Sequence, residues 1–272
     1  MPLSQNPLAL HTWSLDTTPL ADVLEIARST GWDAVELRRL DFDRADAAGQ
    51  SEAEVLDLVR RSGVAVSAVG VAHGWMFAEG AEREQLLATF ERSCAAAAEL
   101  GSCIVMSPVD REPGEVDRAA ASVCEVGAIA ARYGVRLALE FNSQVAQFNT
   151  LESLREVLAR AAQPACGLLL DTYHLQRSGR PGRGFTEVAP EEIAYVQFSD
   201  VPRDGLQPGY AVDRLPPGQG VVDFPGVFAL LEEKAYSGPL SFEGPNPAAW
   251  ARDPKDVARE VLQATRALTS AS

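Results

Sequence analysis

Apolar residues in this chain gather in eight short runs that alternate with longer stretches of helical period. The runs are LALHTW (8–13), DAVELR (33–38), VAVSAVGVA (64–72), SCIVMS (102–107), VRLALEF (135–141), CGLLLDT (166–172), IAYVQFSD (193–200) and PLSFEG (239–244). Between them, LADVLEIARST, EAEVLDLVRRSG, REQLLATFERSCAAAAELG and LESLREVLARAA space their apolar residues three and four apart, as on one face of a helix. Thr150, with Glu152 and Ser153 behind it, predicts a helix start, and Gly31, Gly63, Gly101 and Gly134 each predict a helix end just ahead of a strand. Strands that are apolar almost throughout belong to parallel sheets covered on both faces. Eight βα units within 272 residues therefore predict a single α/β domain over residues 1–272, a closed (β/α)8 TIM barrel. An open doubly wound sheet is the alternative. It calls for a glycine-rich turn after the first strand, where this chain has HTWSLDTTP.

Composition narrows the partners. With 46% hydrophobic residues the chain can fill a large core, and no Pro-, Ser- or Gly-rich linker divides it. A formal net charge of -14 repels polyanions, which argues against nucleic acid as a partner. Cys94, Cys103, Cys124 and Cys166 lie in apolar segments without the paired spacing of a zinc site, so buried, reduced thiols and a cytoplasmic location are expected. The start MPLSQNPLAL has no basic region leading an apolar run, and no segment reaches the roughly 18 apolar residues of a membrane span, so no membrane association is expected.

In a parallel barrel the reactive groups collect where the strands end. Glu140, Asp171, Gln197 and Glu243 stand at the downstream ends of the last four runs. A lone strand-end carboxylate is commonly solvated or paired in a salt bridge. Here apolar residues precede each, and no lysine or arginine lies in these four strand ends. A buried, unpaired carboxylate costs several kcal/mol, so a cation or dense hydrogen bonding must meet it. Together the four predict one shared divalent metal site, and three carboxylates with one neutral amide favour Mn2+ or Mg2+, with Co2+ a further candidate, over zinc. All three histidines, His11, His73 and His174, also fall at or just after strand ends. The loops after the third, sixth and seventh runs, rich in aromatic, glycine and arginine residues, are expected to form a lid.

The segments ALEF, LLLDTYH, YVQFSD, PPGQGVVDF and GPLSFEG, in this order, resemble the xylose-isomerase-like TIM-barrel superfamily. That superfamily includes sugar and sugar-phosphate isomerases and epimerases, inosose dehydratases, dehydroshikimate dehydratases and endonuclease IV. The resemblance covers nearly the whole chain and is most specific in Asp171-x-x-His174 with a glutamate one strand earlier and another on the last strand. It implies that Glu140, Asp171, Gln197 and Glu243 hold the metal and that Glu140 and Glu243 double as acid and base. It also implies that His174 contacts substrate, donating a hydrogen bond or protonating a leaving hydroxyl, and that Glu36 and Arg214 lie near the substrate. For Glu36 the alternative is an ion pair with Arg38 or Arg39. His73 and Trp75 are further substrate-binding candidates, the alternative for His73 being packing beside Trp75 and Phe77. His11 is expected to pack at the barrel mouth.

Gln197 stands where many isomerases of the group have histidine. It is similar in this to dehydroshikimate dehydratases, as is RLPPGQG around Arg214. The arginine those dehydratases carry in the third loop, and their Arg-His pair after the fifth-strand glutamate, are absent from HGWMFAEG and FNSQVAQFNT. Endonuclease IV needs more histidines than the three available, and Asp213-Arg214-Leu215 replaces its Asp-x-His. The expectation is an isomerase or epimerase that moves a proton, enediolate fashion, on a small polyhydroxylated carbonyl compound. A metal-dependent dehydratase is the alternative, and a non-catalytic sugar-binding barrel a third reading. The chain has no P-loop, which favours a free sugar over a phosphorylated one. Members of the family it resembles often associate through their outer helices, but no single exposed apolar stripe in this sequence decides between a monomer and a homo-oligomer.

Overall fold

Each apolar run forms a strand of three to six residues: β1 (Leu8–His11), β2 (Ala34–Leu37), β3 (Ala65–Gly70), β4 (Ile104–Pro108), β5 (Arg136–Glu140), β6 (Cys166–Asp171), β7 (Ile193–Phe198) and β8 (Leu240–Phe242). The computed structural model describes residues 3–205, 209 and 211–270. The strands are parallel and close in sequence order, with β8 pairing back onto β1 at Ala9 and Ser241. The seam is reinforced from the N-terminal side. The Leu240 amide donates to Pro7 O at 2.9 Å, and Asn6 Nδ2 donates to the carbonyls of Tyr236 and Gly238.

Around this barrel run α1 (Leu20–Thr30), α2 (Arg39–Ala47), α3 (Glu52–Ser62), α4 (Gly80–Glu99), α5 (Val116–Arg132), α6 (Leu151–Ala161), α7 (Thr172–Arg177), α8 (Phe224–Glu233), α9 (Pro247–Trp250) and α10 (Pro254–Thr269). Local chemistry sets several boundaries. Thr150 caps α6 by accepting from the Ser153 amide, and α1 stops at Gly31, whose φ of +91° suits a residue without a Cβ. The short α2, ahead of α3, was not evident from periodicity, because its sequence RLDFDRADA is mostly polar. Its start is held instead by Asp41, whose Oδ2 accepts from the Arg38 amide at 2.8 Å.

Successive side chains on a strand face opposite ways, so each strand serves two cores. Val105, Leu137, Leu139, Leu168 and Leu170 belong to the large layer between strands and helices, whereas Ile104, Met106, Ala138, Leu169 and Tyr195 join Ala68 in a small cluster inside the barrel. Each fully buried aliphatic side chain contributes about 1.5–3 kcal/mol, so the strand–helix layer supplies most of the stabilisation. Cys94 and Cys166 are buried as expected, but Cys103 and Cys124 are exposed. Apolar neighbours do not reveal which face of an element a residue occupies. Among the described residues, no helix is long and apolar enough to cross a membrane.

Candidate active site at the C-terminal rim

The alternation that places Ala138, Leu169 and Tyr195 inside the barrel also places the residues two positions further on there: Glu140, Asp171 and Gln197. By the same count His11, Glu36 and Glu243 share the inner side, and all six are buried. A cavity of about 760 Å3 opens above them, lined by His11, Glu140, His174, Arg214 and Glu243 at its base. A smaller recess of about 430 Å3 at the opposite end, beside Asn6, Asp33 and Arg266, lies away from this chemistry.

A cation does enter the acidic group, from a loop. Arg214, 3% exposed, donates from Nη1 to Asp171 Oδ2. The same nitrogen lies 2.7 Å from Glu243 Oε2, close enough to pair as ions but outside hydrogen-bond geometry. The guanidinium also sits 4.5 Å from the centre of the Tyr173 ring. The absence of basic residues from the strand ends therefore did not mean that no protein cation was available. Asp200 brings this one in: its carboxylate accepts from the amides of Gly218, Gly220 and Val222 at 2.8 to 2.9 Å, and its backbone bridges Leu215.

Burial raises the acids. Glu140 is pushed well above the usual carboxylate range, by desolvation first and then by the negative charges of Asp171 and Glu243. Desolvation likewise lifts Glu243 to about 7, against the opposing pull of Arg214. Glu36 rises to about 8, again chiefly because it is buried.

Both buried histidines are fixed in the same way. The Ser143 amide donates to His174 Nδ1 at 3.2 Å, and the Trp13 amide donates to His11 Nδ1 at 3.0 Å. A backbone N–H is an obligate donor, so the neutral His11 ring carries its proton on Nε2; His174 Nε2 instead meets the Arg214 guanidinium, itself an obligate donor, while Ser143 Oγ lies 2.8 Å from Nδ1. His174 Nε2 faces Glu140 Oε1 at 3.8 Å and Arg214 Nη2 at 3.3 Å; His11 Nε2 faces Glu243 Oε1 at 3.4 Å and Glu36 Oε1 at 3.7 Å. Burial lowers His174 to about 3. The ring is then neutral at physiological pH, not a supply of protons for a leaving hydroxyl. His11 belongs to the acidic group, beyond the packing role expected of it; its place as the last inward residue of β1 was the available signal. Nothing in the sequence signalled Ser143.

The remaining residues separate by position. His73 lines the cavity from the loop after β3, together with Arg38, Arg39 and Arg111. Trp75, expected at the substrate, is instead fully buried, donating from Nε1 to Ser107 Oγ at 3.0 Å and meeting Phe90 edge-on. Its loop is turned inward by Asp110, whose carboxylate accepts from the amides of Gly74, Met76 and Phe77. Glu36 pairs with neither Arg38 nor Arg39. It lies beneath the cavity and accepts from Gln197 Nε2 at 2.8 Å. The expected lid is only partly realised. The helix α7 that follows β6 gives His174 to the cavity, but the arginines of the loop beyond it turn away, Arg180 to Glu152 and Glu187 and Arg183 to Glu233. The loop after β7 contributes Gly209, Ala211 and Arg214, while residues 206–208 and 210 lie outside the described residues.

The donor set suits a hard divalent ion. Glu140, Asp171 and His174 each offer a ligand atom within 4.8 Å of the others. Glu243 Oε2 is met by Arg214 at 2.7 Å, whereas Glu140 Oε1 and Gln197 Oε1 are buried without hydrogen-bond partners. Buried acceptors in this state are costly unless a cation meets them.

A closed parallel barrel with a buried acidic group at its C-terminal rim defines a class of (β/α)8 proteins. Within it, the chain belongs to the xylose isomerase-like TIM barrel family, whose family model matches residues 24–268. A 3-dehydroshikimate dehydratase of Pseudomonas aeruginosa is 32% identical over 245 residues, 86% of this chain. The chain spans only 37% of the length of that relative and of its Pseudomonas putida counterpart. An inosose isomerase of Halalkalibacterium halodurans is 23% identical over 239 residues, covering 85% of this chain and 84% of its own. Among solved structures, an IOLI protein with a bound zinc atom superposes with a TM-score of 0.85 at 20% identity, covering 97% of this chain and 98% of its own.

Proposed function

We propose that this chain is a divalent-metal-dependent isomerase or epimerase acting on a small polyhydroxylated carbonyl compound. One observation carries the reading: buried oxygens of Glu140 and Gln197 lack hydrogen-bond partners, and Glu140 stands at the base of a cavity sized for a small molecule. Glu140, Asp171, Gln197 and Glu243 would hold the ion, Mn2+ or Mg2+ by the hardness of their oxygens. When bound, it would polarise a substrate carbonyl and favour negative charge on its oxygen.

The protein's own groups supply the proton handling. Glu140 and Glu243 both line the cavity, and burial raises the proton affinity of each, Glu243 to about 7, which suits groups that take and return a proton. Two carboxyls that can reach one carbon from different sides are what inversion requires, whereas a 1,2-shift needs only one of them to carry the proton between adjacent carbons. His174 lines the cavity as a neutral ring within reach of a substrate oxygen, and Arg214 offsets the charge of Asp171 and the Glu243 side chain. The four free cysteines suit a reducing compartment, and we place the enzyme in the cytoplasm.

A dehydratase is the second reading. The 32% identity to 3-dehydroshikimate dehydratase favours it, and so does the buried Arg214, a cation able to meet an acidic substrate. Incubating Mn2+-loaded protein in deuterated water with a panel of ketoses and with 3-dehydroshikimate separates the two. Deuterium uptake without mass loss supports the isomerase. Loss of water with new ultraviolet absorbance shifts the assignment to the lyase, and neither change with any substrate defeats both.

A further inference from the structure

The two ends of the Gln197 amide are chemically opposed: the oxygen can ligate a cation, and the NH2 group repels one. The final torsion of a glutamine is broad and roughly two-fold, so nothing within the residue itself selects the oxygen. The selection comes from Glu36, which is fully buried at the end of β2 and accepts from Gln197 Nε2 at 2.8 Å. The other end of the amide, Oε1, is buried with no hydrogen-bond partner. His11, tethered through Nδ1 to the Trp13 amide, holds its Nε2 3.7 Å from the same Glu36 oxygen and 3.4 Å from Glu243 Oε1.

We propose that Glu36 is a positioning residue, which ties down the amide nitrogen of Gln197 and thereby commits its oxygen to the divalent ion. The inference rests on the metal-dependent reading above. It gives Glu36 a role beneath the cavity and explains how a glutamine serves at this rim position: an acidic neighbour fixes its polarity. Partners of this kind, one layer behind the ligands, typically change metal affinity 10- to 100-fold when removed.

Titration calorimetry with Mn2+ on metal-free protein tests this without a substrate. Wild type is measured beside Glu36→Met, which removes the acceptor at similar volume, and beside the isoelectric exchange Glu36→Gln with Gln197→Glu. In the exchange, the amide at position 36 donates to one carboxylate oxygen at 197 and leaves the other free. The expected result is Mn2+ binding weakened on the order of 10-fold or more in Glu36→Met, and recovered to within a few-fold of wild type in the exchange. Equal affinity in Glu36→Met and wild type overturns the inference while leaving the metal reading intact. If Glu36→Met fails to fold by circular dichroism, the exchange alone decides, and weak binding there overturns the inference. A wild-type protein that binds neither Mn2+ nor Mg2+ removes the metal reading and this inference with it.

Discussion

Arg214 and Asp171 form a buried ion pair in which one guanidinium nitrogen serves both this aspartate and Glu243. The pair joins two parts of the chain with different origins, a strand end and a long loop. Breaking a buried pair by removing one partner leaves an uncompensated charge and costs about 3–5 kcal/mol. Arg214→Met should destabilise the metal-free protein by about that amount in urea unfolding. Because the substitution also frees two acidic side chains from a competing cation, Mn2+ should raise the melting temperature of the variant more than that of wild type. An equal or smaller increment would mean that the arginine does not compete with the ion.

Asp200 keeps Arg214 where it is. Its carboxylate collects three amides from the turn at residues 218–222, and hydrogen bonds to a charged acceptor contribute about 1.5–3 kcal/mol each, though not additively. Asp200→Ala should cost about 3 kcal/mol and make the segment from 211 to 222 the first site of limited proteolysis. Unchanged stability and an unchanged cleavage pattern would show that the turn holds itself.

His174 gives a pH dependence of defined sign. Its folded-state value is lowered to about 3, mainly by burial, from an ordinary value of 6.5. Between those values the unfolded chain binds a proton that the native ring does not, so this residue's contribution makes stability rise as pH climbs from about 3 to 6.5, and it is flat above. Glu36 and Glu243, raised to about 8 and about 7, act in the opposite direction above their ordinary value of 4.5. The comparison must therefore be between wild type and His174→Gln. On moving from pH 6.5 to 4.5, the variant should lose less stability than wild type in parallel urea titrations.

Thiol titration is the simplest check on the two-layer packing. Cys103 and Cys124 are exposed, whereas Cys94 and Cys166 are buried and their thiols are pushed up to about 12. A disulfide reagent at pH 8 should modify Cys103 and Cys124 quickly in the native protein and reach Cys94 and Cys166 only on unfolding. Rapid modification of all four would show that the helical layer opens readily.

What could be read in advance follows from how each residue is positioned. Glu140, Asp171 and Gln197 were legible as rim residues because each closes an apolar strand; strand alternation, a local rule, accounts for their facing inward, two positions after an inward apolar residue. The same rule would have recruited His11, had its side of β1 been counted. Arg214 was harder, since its contact with Asp171 bridges 43 positions and depends on a turn that Asp200 folds. Trp75 was misplaced for a related reason: Asp110, 35 positions downstream in the next loop, turns the indole into the core, and no pattern around HGWMF records that pull. Glu36 stood out as a strand-end acid, but its bond to Gln197 crosses the barrel from β2 to β7 and is invisible to any linear pattern.

The separate origins of the acids and of Arg214 have a consequence for evolvability. Among the described residues Arg214 is the one buried basic side chain of the lysine and arginine type, and it arrives on a loop, while every acid it balances is carried by the rigid staves of the cylinder. Substituting that single loop would retune the electrostatic character of the mouth and release Asp171 and Glu243, the two acids it pairs with. A scaffold built this way can pass from one reaction to its neighbour by exchanging one detachable part.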